Sequence, residues 1–345
     1  MKVAKLYSFD RIEIEDMPIP FIGPRDALMK TRACGICSGD VMKWYIEKKA
    51  PLVFGHEPAG EIIQTGGSVT SFRPGDRVFV HHHAPCMVCH HCWRGDYVQC
   101  KTWRESSIVP GGIAEYILIP EINLKHDTLK LPDHISFEAA TLIEPAACVV
   151  KSMKRSGIRR GDTVLVVGLG VMGILHIRIA KRMGAENVIG ADRVGYRLRK
   201  GLEAGADTVI DVRSGNMDEQ VNDLTGGTMA EIVIIGPNSA EAMMEGLSCA
   251  APGGTVVFFT PARPGETITI DPNELYFKDI NIVTSYSCGP VDTREALSLI
   301  GGAISPEAII THRFPIDETD KAFRLTAQAH DSLKCVIVFN SLDLQ

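Results

Sequence analysis

The sequence predicts an α/β protein in two parts, a β-rich part followed by a doubly wound parallel sheet with helices. Three observations carry this. Over the first third, short apolar runs such as Glu61-Ile-Ile63 and Arg77-Val-Phe-Val80 sit between Pro/Gly turns: Met17-Pro-Ile-Pro20, Ile22-Gly-Pro24, Arg73-Pro-Gly-Asp76 and Val109-Pro-Gly-Gly112. Strands bounded by turn residues read as a small β domain. From Thr163 onward, wholly apolar runs of strand length alternate with helical stretches, the mark of strands buried on both faces by crossover helices. At 345 residues the chain is also long for a single core.

The elements follow in order. Ser136 is placed to cap a helix running through Phe137-Glu-Ala-Ala-Thr-Leu-Ile143 toward Glu144. Thr163-Val-Leu-Val-Val167 is a buried strand, followed by Gly168-Leu-Gly170-Val-Met-Gly173 and a helix to Met183. Asn187–Asp192 is the next strand, then a charged helix to Gly205, a strand Thr208–Asp211, a strand Glu231–Ile235, a helix from Ala240 and a strand Gly254–Thr260. After Asn281–Ser285 the pattern weakens, and Cys335-Val-Ile-Val-Phe339 has the composition of a strand that returns to the first part.

Composition narrows the function. Apolar residues make up 45% and charged residues 23%, as in an ordinary globular protein. A net charge of −6 without any Lys/Arg block argues against a nucleic-acid partner. No apolar stretch reaches the roughly 18 residues of a membrane span, and the start turns polar too soon for a signal peptide. Ten cysteines in clustered spacing read as metal binding rather than as a disulfide framework, and a cytoplasmic setting is expected.

The densest cluster is Cys86-Met-Val-Cys89-His-His-Cys92-Trp-Arg-Gly-Asp-Tyr-Val-Gln-Cys100. Four thiolates at these intervals can converge on one tetrahedral ion, and a four-thiolate set marks a closed, structural zinc site.

Gly168, Gly170 and Gly173 follow a predicted strand and open a predicted helix. Gly168 permits the tight turn, Gly170 lets backbone approach a pyrophosphate, and Gly173 lets helix and strand pack closely, while the N–H groups of the first turn (Val171, Met172) face the anion. Asp192 ends the next strand, about 20 residues on, where a carboxylate accepts hydrogen bonds from ribose hydroxyls. It repels a 2′-phosphate, so NAD is expected over NADP. Arg193 softens that preference only if it reaches a phosphate, and a solvated or adenine-stacked side chain is its plainer reading.

A second cysteine and histidine set is Cys34-Gly-Ile-Cys37-Ser-Gly-Asp40 with Phe54-Gly-His56-Glu57. A lone Cys-x-x-Cys reads equally as a redox pair and a lone His-Glu as a core pair. Glu144, in Leu142-Ile-Glu144-Pro-Ala-Ala-Cys148, lies far downstream, and spacing alone does not join it to the others.

Taken together, the chain resembles the zinc-dependent medium-chain alcohol dehydrogenases, most closely the sorbitol (polyol) and threonine dehydrogenase branch. The resemblance rests on Cys34-Gly-Ile-Cys37, Gly55-His56-Glu57, Pro74-Gly-Asp-Arg-Val78, the four-cysteine lobe, Gly112-Ile-Ala-Glu-Tyr116, Glu144-Pro-Ala-Ala-Cys148, the glycine fingerprint and Ile310-Thr-His-Arg-Phe-Pro315. It implies a GroES-like β domain, residues 1–147 completed by 289–345, and an inserted Rossmann domain, 148–288. It also implies a catalytic zinc on Cys37, His56 and Glu144, with Glu57 as an alternate or water-mediated ligand. Cys86, Cys89, Cys92 and Cys100 then hold a structural zinc, giving two ions per chain. The implied activity is reversible oxidation of a secondary alcohol by NAD, with a sugar alcohol as first expectation and a 3-hydroxy amino acid such as threonine as second. A catalytically weakened nucleotide-binding protein of the same fold is a third. The implied assembly is a homodimer or homotetramer.

Two positions depart from the family pattern. The hydroxyl that passes the substrate proton onward is expected two residues after the catalytic cysteine, where Gly39 stands; Ser38 is one place early. Met42 stands where a histidine often completes the relay. Other routes run through Ser38, through Glu57 by way of water, through solvent, or through His81-His82-His83, whose odd members would share one face of a continuing strand.

Overall fold

The computed structural model describes residues 1–339, so residues 340–345 of the segment expected to complete the first domain lie outside the described residues. The chain divides into two compact units, Met1–Ala147 with the chain from Cys288 on, and Cys148–Ser287. No helix among the described residues is long and apolar enough to cross a membrane.

The first unit holds two sheets. The smaller orders its strands Arg11–Asp16, Lys2–Ser8, Leu52–Val53. The larger runs Ile310–Pro315, Lys334–Val338, Ala27–Gly35, Glu57–Thr65, Arg77–Val80, Thr128–Lys130, and Tyr116–Ile119 also pairs with Ala27–Gly35. The returning strand Lys334–Val338 pairs antiparallel with Ala27–Gly35, Val336 opposite Gly35. On its other side Gly35 lies opposite Glu57. That register collects the end of one strand, the start of a second and the middle of a third at one point, just before Cys37. Fully buried Val3, Met29, Ile62, Val78, Val80 and Ile117 form part of the core beneath, each such large side chain stabilising the fold by roughly 1.5–3 kcal/mol.

The second unit is a six-stranded parallel sheet ordered Thr208–Asp211, Asn187–Asp192, Thr163–Val167, Ala230–Ile235, Ala250–Phe258, Asn281–Thr284. Counted along the chain this is the order 3-2-1-4-5-6, whose reversal beside the first strand makes the crevice where dinucleotides bind. The glycine fingerprint follows that strand. Helices Val171–Met183 and Gly195–Ala204 both end in left-handed glycines, Gly184 and Gly205, which cap their last carbonyls without a Cβ penalty.

Three details differ from expectation. The helix capped by Ser136, whose Oγ accepts from the Ala139 N–H, stops at Ala140, and a second helix runs Ile143–Ser156. Pro145 sits in the first turn of that second helix, where its missing N–H costs nothing. The strand expected from Gly254 begins at Ala250. The strand before the histidine run ends at Val80, so His81, His82 and His83 lie beyond the strand whose continuation the alternation assumed.

Candidate metal and dinucleotide sites

Cys37 lies in the turn after the strand Ala27–Gly35, and His56 directly precedes the strand that opens with Glu57. Ligand atoms of Cys37, His56 and Glu57 lie within 4.8 Å of one another. Asp40 steadies two of them: its Oδ2 accepts from the Cys37 backbone N–H (3.3 Å), and its Oδ1 is 3.4 Å from His56 Nδ1. A carboxylate on one ring nitrogen fixes the tautomer and aims the other nitrogen at a ligand. Burial opposes a charge on His56, but Asp40 and Cys37 outweigh it and raise its pKa well above the ordinary value. A metal bound there has to displace that proton.

Glu57 is completely buried and ion-paired with Lys334, itself 1% exposed. Burial raises the Glu57 pKa, with Lys334 opposing; burial lowers that of Lys334, and Glu57 outweighs it. Apart from that pair, neither Glu57 oxygen has a hydrogen-bond partner. An orphaned buried carboxylate oxygen beside a thiol and an imidazole fits a divalent cation, and the S, N, O donor mix suits zinc.

Glu144, second in its helix and 5% exposed, falls in a neighbouring triplet with His81 and His82. The His56 and His82 rings, 4.9 Å apart, join the two triplets. His81 is fixed by Asp127, Nδ1 to Oδ2 at 2.7 Å; Thr293 donates to the other Asp127 oxygen, and Cys288 Sγ is 3.7 Å from His81 Nε2. Burial opposes charge on His81, but Cys288 and Asp127 raise its pKa well above normal. Burial pushes His82 well below its ordinary value, so its ring is neutral. Ser38 is exposed in the Cys37 turn, and the Gly39 N–H donates to Cys37 Sγ at 3.3 Å. Cys34 is fully buried, its thiol pushed up to about 12 by that burial.

The four-cysteine lobe converges as its spacing predicts. Cys86, Cys89, Cys92 and Cys100 lie within 4.8 Å of one another, with Sγ–Sγ distances of 3.6 Å (Cys89–Cys92 and Cys86–Cys100) and 4.0 Å (Cys86–Cys92). A tetrahedron with Zn–S bonds of about 2.3 Å has edges of about 3.8 Å. The sulfurs therefore fit zinc. Burial pushes the Cys92 thiol up to about 12; at Cys100 burial is outweighed by the Cys86 and Trp103 backbone N–H groups, which bring it down to about 6.

In the second unit Gly168 has φ +87°, and a Cβ on Gly173 would lie 2.0 Å from the Gly168 carbonyl oxygen. No larger residue fits at Gly173. Gly170 caps the helix Val171–Met183, whose first bond runs from Ile174 N–H to the Gly170 carbonyl. The N–H groups of Val171, Met172 and Gly173 precede that bond, as an anion site requires. Asp192 is 7% exposed; Oδ2 accepts from Leu169 N–H (2.7 Å) and Oδ1 from Val194 N–H (2.9 Å). Arg193 is exposed.

Sequence reasoning missed several participants. Arg197 stands 3.7 Å from Asp192 Oδ2 and equally close to the place a Gly170 Cβ would take; a cation in the first turn after the acid was the available signal. Asp40 sat inside the quoted cysteine motif without a role. Lys334 and Asp127 had no local signal.

Comparison with known proteins places this architecture. A model described as an alcohol dehydrogenase GroES-like domain matches residues 23–133, and one described as a zinc-binding dehydrogenase matches residues 171–301. The chain is 30% identical over 347 residues to a sorbitol dehydrogenase of Bombyx mori, covering 97% of each. It is 33% identical over 322 residues to an L-threonine 3-dehydrogenase of Bacillus licheniformis, covering 90% of this chain and 91% of that one. A protein of Sinorhizobium meliloti 1021 solved with NADP bound superposes with a TM-score of 0.87 at 28% identity, over 98% of both chains. The chain belongs to the zinc-dependent medium-chain alcohol dehydrogenases, in the branch that contains sorbitol and threonine dehydrogenases. It is therefore an alcohol dehydrogenase that joins a GroES-like part to a Rossmann-like one.

Proposed function

We propose that this dehydrogenase oxidises a secondary hydroxyl of a polyol or sugar alcohol to a ketone, with NAD⁺ as the hydride acceptor. The observation that carries the reading is the convergent donor set of half-buried Cys37 and His56 with buried Glu57, and buried Glu144 in the neighbouring triplet, in a chain 30% identical to a sorbitol dehydrogenase. The carbon loses hydride to the nicotinamide and the hydroxyl loses a proton, giving ketone, NADH and H⁺. Residues 1–147 and 289–345 carry the metal chemistry, and 148–288 carry the dinucleotide.

Cys37, His56 and Glu144 would hold the catalytic zinc, with Glu57 as alternate partner; when bound, the ion supplies Lewis acidity of the kind that takes the pKa of water from about 15.7 to about 7. The four-cysteine lobe would hold the second ion. Asp40 orients His56, and Lys334 balances the charge of Glu57. Gly39 and Met42 offer nothing that passes a proton on, and exposed Ser38 is the hydroxyl nearest in sequence. In the second unit the first-turn N–H groups receive the pyrophosphate and Asp192 the ribose hydroxyls. Its negative charge favours NAD over NADP.

Among the described residues no cysteine is joined in a disulfide, in keeping with the reducing, cytoplasmic setting we propose. A homodimer or homotetramer is in keeping with the edge strand Asn281–Thr284 and the exposed Tyr276 and Phe277 of the helix before it.

The test is the rate of NAD⁺ reduction by zinc-loaded protein on sugar alcohols, vicinal diols, simple secondary alcohols and L-threonine, with NADP⁺ in parallel. Turnover of sugar alcohols or vicinal diols with NAD⁺ supports the reading, and silence across the panel sinks it. A threonine substrate is the second reading, favoured by the 33% identical relative. Arg313, whose guanidinium suits a substrate carboxylate or equally a structural salt bridge or subunit contact, is ion-paired with Glu138 at 2.5 Å.

A further inference from the structure

In the histidine run Nδ1 of His81 is paired with Asp127 and Nδ1 of His83 with the Ser106 carbonyl, whereas Nδ1 of His82 has no such partner. The carbonyls of His81 and His82 accept from the Asn123 amide at 3.0 and 3.2 Å, anchoring the backbone. The His82 ring is held between neighbours: His83 at 4.1 Å, His81 at 4.9 Å edge-on, and Trp103 at 6.5 Å, centroid to centroid. It faces the ring of His56 at 4.9 Å and shares a triplet with Glu144. Its Nδ1 is buried and has no hydrogen-bond partner in the protein.

An unpaired buried ring nitrogen carries a desolvation penalty that a ligand can remove. In a neutral imidazole this nitrogen either donates or accepts, according to tautomer. A hydroxyl does both, so it pairs with either form. The neighbouring donor atoms of Cys37, His56 and Glu144 are the groups assigned to the zinc that takes the reacting hydroxyl. A second hydroxyl one carbon away is the group that would meet the adjacent ring.

We propose that His82 is a specificity-determining residue that hydrogen-bonds a second hydroxyl, vicinal to the one oxidised. The proposal rests on the reading of this site as a secondary-alcohol dehydrogenase. It deepens that reading by making a vicinal diol the recognised unit. A monohydric alcohol leaves the nitrogen unpaired, and sites built around a substrate hydroxyl discriminate strongly against analogues that lack it.

The experiment compares wild type with His82→Phe, which keeps a ring and removes the nitrogen, and His82→Asn, whose amide takes nearly the place of Nδ1. For a sugar alcohol such as sorbitol, His82→Phe lowers kcat/KM about tenfold or more, mainly through KM, and changes 2-butanol turnover less than about threefold. His82→Asn recovers a substantial part of the loss. Calorimetric titration of sorbitol into the NADH complex shows the same weakening, and metal analysis shows unchanged zinc.

An equal fall for sorbitol and 2-butanol overturns the proposal, since that is the signature of a structural role. Loss of an ion in His82→Phe overturns it by making His82 a ligand. If wild type oxidises sorbitol and the ratio does not move, the proposal alone fails. If wild type oxidises no polyol, the functional reading fails and takes the proposal with it.

Discussion

The ammonium of Lys334 meets the carboxylate of Glu57 in an ion pair from which water is shut out, their side chains 1% and 0% exposed. Gly35, opposite both strands, makes the pair possible, because a Cβ there would lie 1.9 Å from Glu57 Oε2 and 2.6 Å from Lys334 Cε. The Lys334 ammonium also donates to the Ile36 carbonyl at 3.1 Å. The lysine thus ties the returning C-terminal strand to the loop that carries Cys37.

Removing one member of such a pair leaves an uncompensated buried charge, at a cost of about 3–5 kcal/mol. Lys334→Met is therefore strongly destabilising in denaturant unfolding, and the double variant Lys334→Met/Glu57→Gln recovers most of the loss. Equal stability of the single and double variants would mean the charge of Glu57 is not the cause.

The four-cysteine lobe folds around its sulfurs and little else: its buried cluster is Cys92, Val98, Cys100 and Trp103. Cys89→Ser should lower zinc content from two to one per chain and open the lobe to protease between Cys86 and Cys100. A metal-dependent lobe of this size loses its fold with its ion. Retention of both ions in Cys89→Ser would refute the site.

Cys37→Ala acts on the other ion. It should abolish turnover, leave one zinc, and leave NADH binding unchanged, because the residues proposed for the dinucleotide lie in the other unit. Unaltered activity in that variant removes Cys37 from the chemistry.

These two sites were not equally legible. The lobe is local: four cysteines within fifteen positions, and the chain's own turns bring them together. The glycine fingerprint is also local, and its strands announced themselves because burial on both faces leaves nothing polar in residues 164–167. The surroundings of Cys37 are not local. Cys288 reaches His81 across 207 positions, and Lys334 reaches Glu57 only through the register of a returning strand. The histidine run misled in a different way. Alternation holds only while a strand continues, and this one stops at Val80, after which the rings pack at a tilt against one another and against Trp103. The helix after Ser136 misled because apolar periodicity runs on through Thr141 and Leu142, whereas the backbone restarts there to place Glu144 and Pro145 in a first turn.

Cofactor choice is testable at Asp192. Asp192→Asn keeps an acceptor for the Leu169 or Val194 N–H and removes the charge. NADH affinity should fall and the NADH-to-NADPH preference should shift about tenfold or more toward NADPH, about 1.4 kcal/mol. Arg193 and Arg197 then supply the nearby positive charge. Fluorescence titration of both reduced cofactors reads the ratio, and an unmoved ratio places discrimination elsewhere.

Acid should weaken the second unit through His176. Its Nδ1 lies 2.8 Å from the Met172 carbonyl and its Nε2 3.0 Å from Ser152 Oγ, so the neutral Nδ1–H tautomer donates to the carbonyl and accepts from the hydroxyl. The ring is 1% exposed and packs edge-on against Phe259. Burial, partly offset by the Met172 carbonyl, brings its pKa down to about 4, against about 6.5 in the unfolded chain. Above 6.5 both states are neutral and the residue adds no pH dependence. Between about 6.5 and 4 the unfolded chain binds a proton that the folded chain refuses, so stability falls as pH falls, by up to about 3 kcal/mol. His176→Gln removes that titration, so its Tm should lie below wild type at pH 7.5 but decline less toward pH 4.5. Parallel Tm-versus-pH curves would show that His176 protonation is not what weakens the fold in acid.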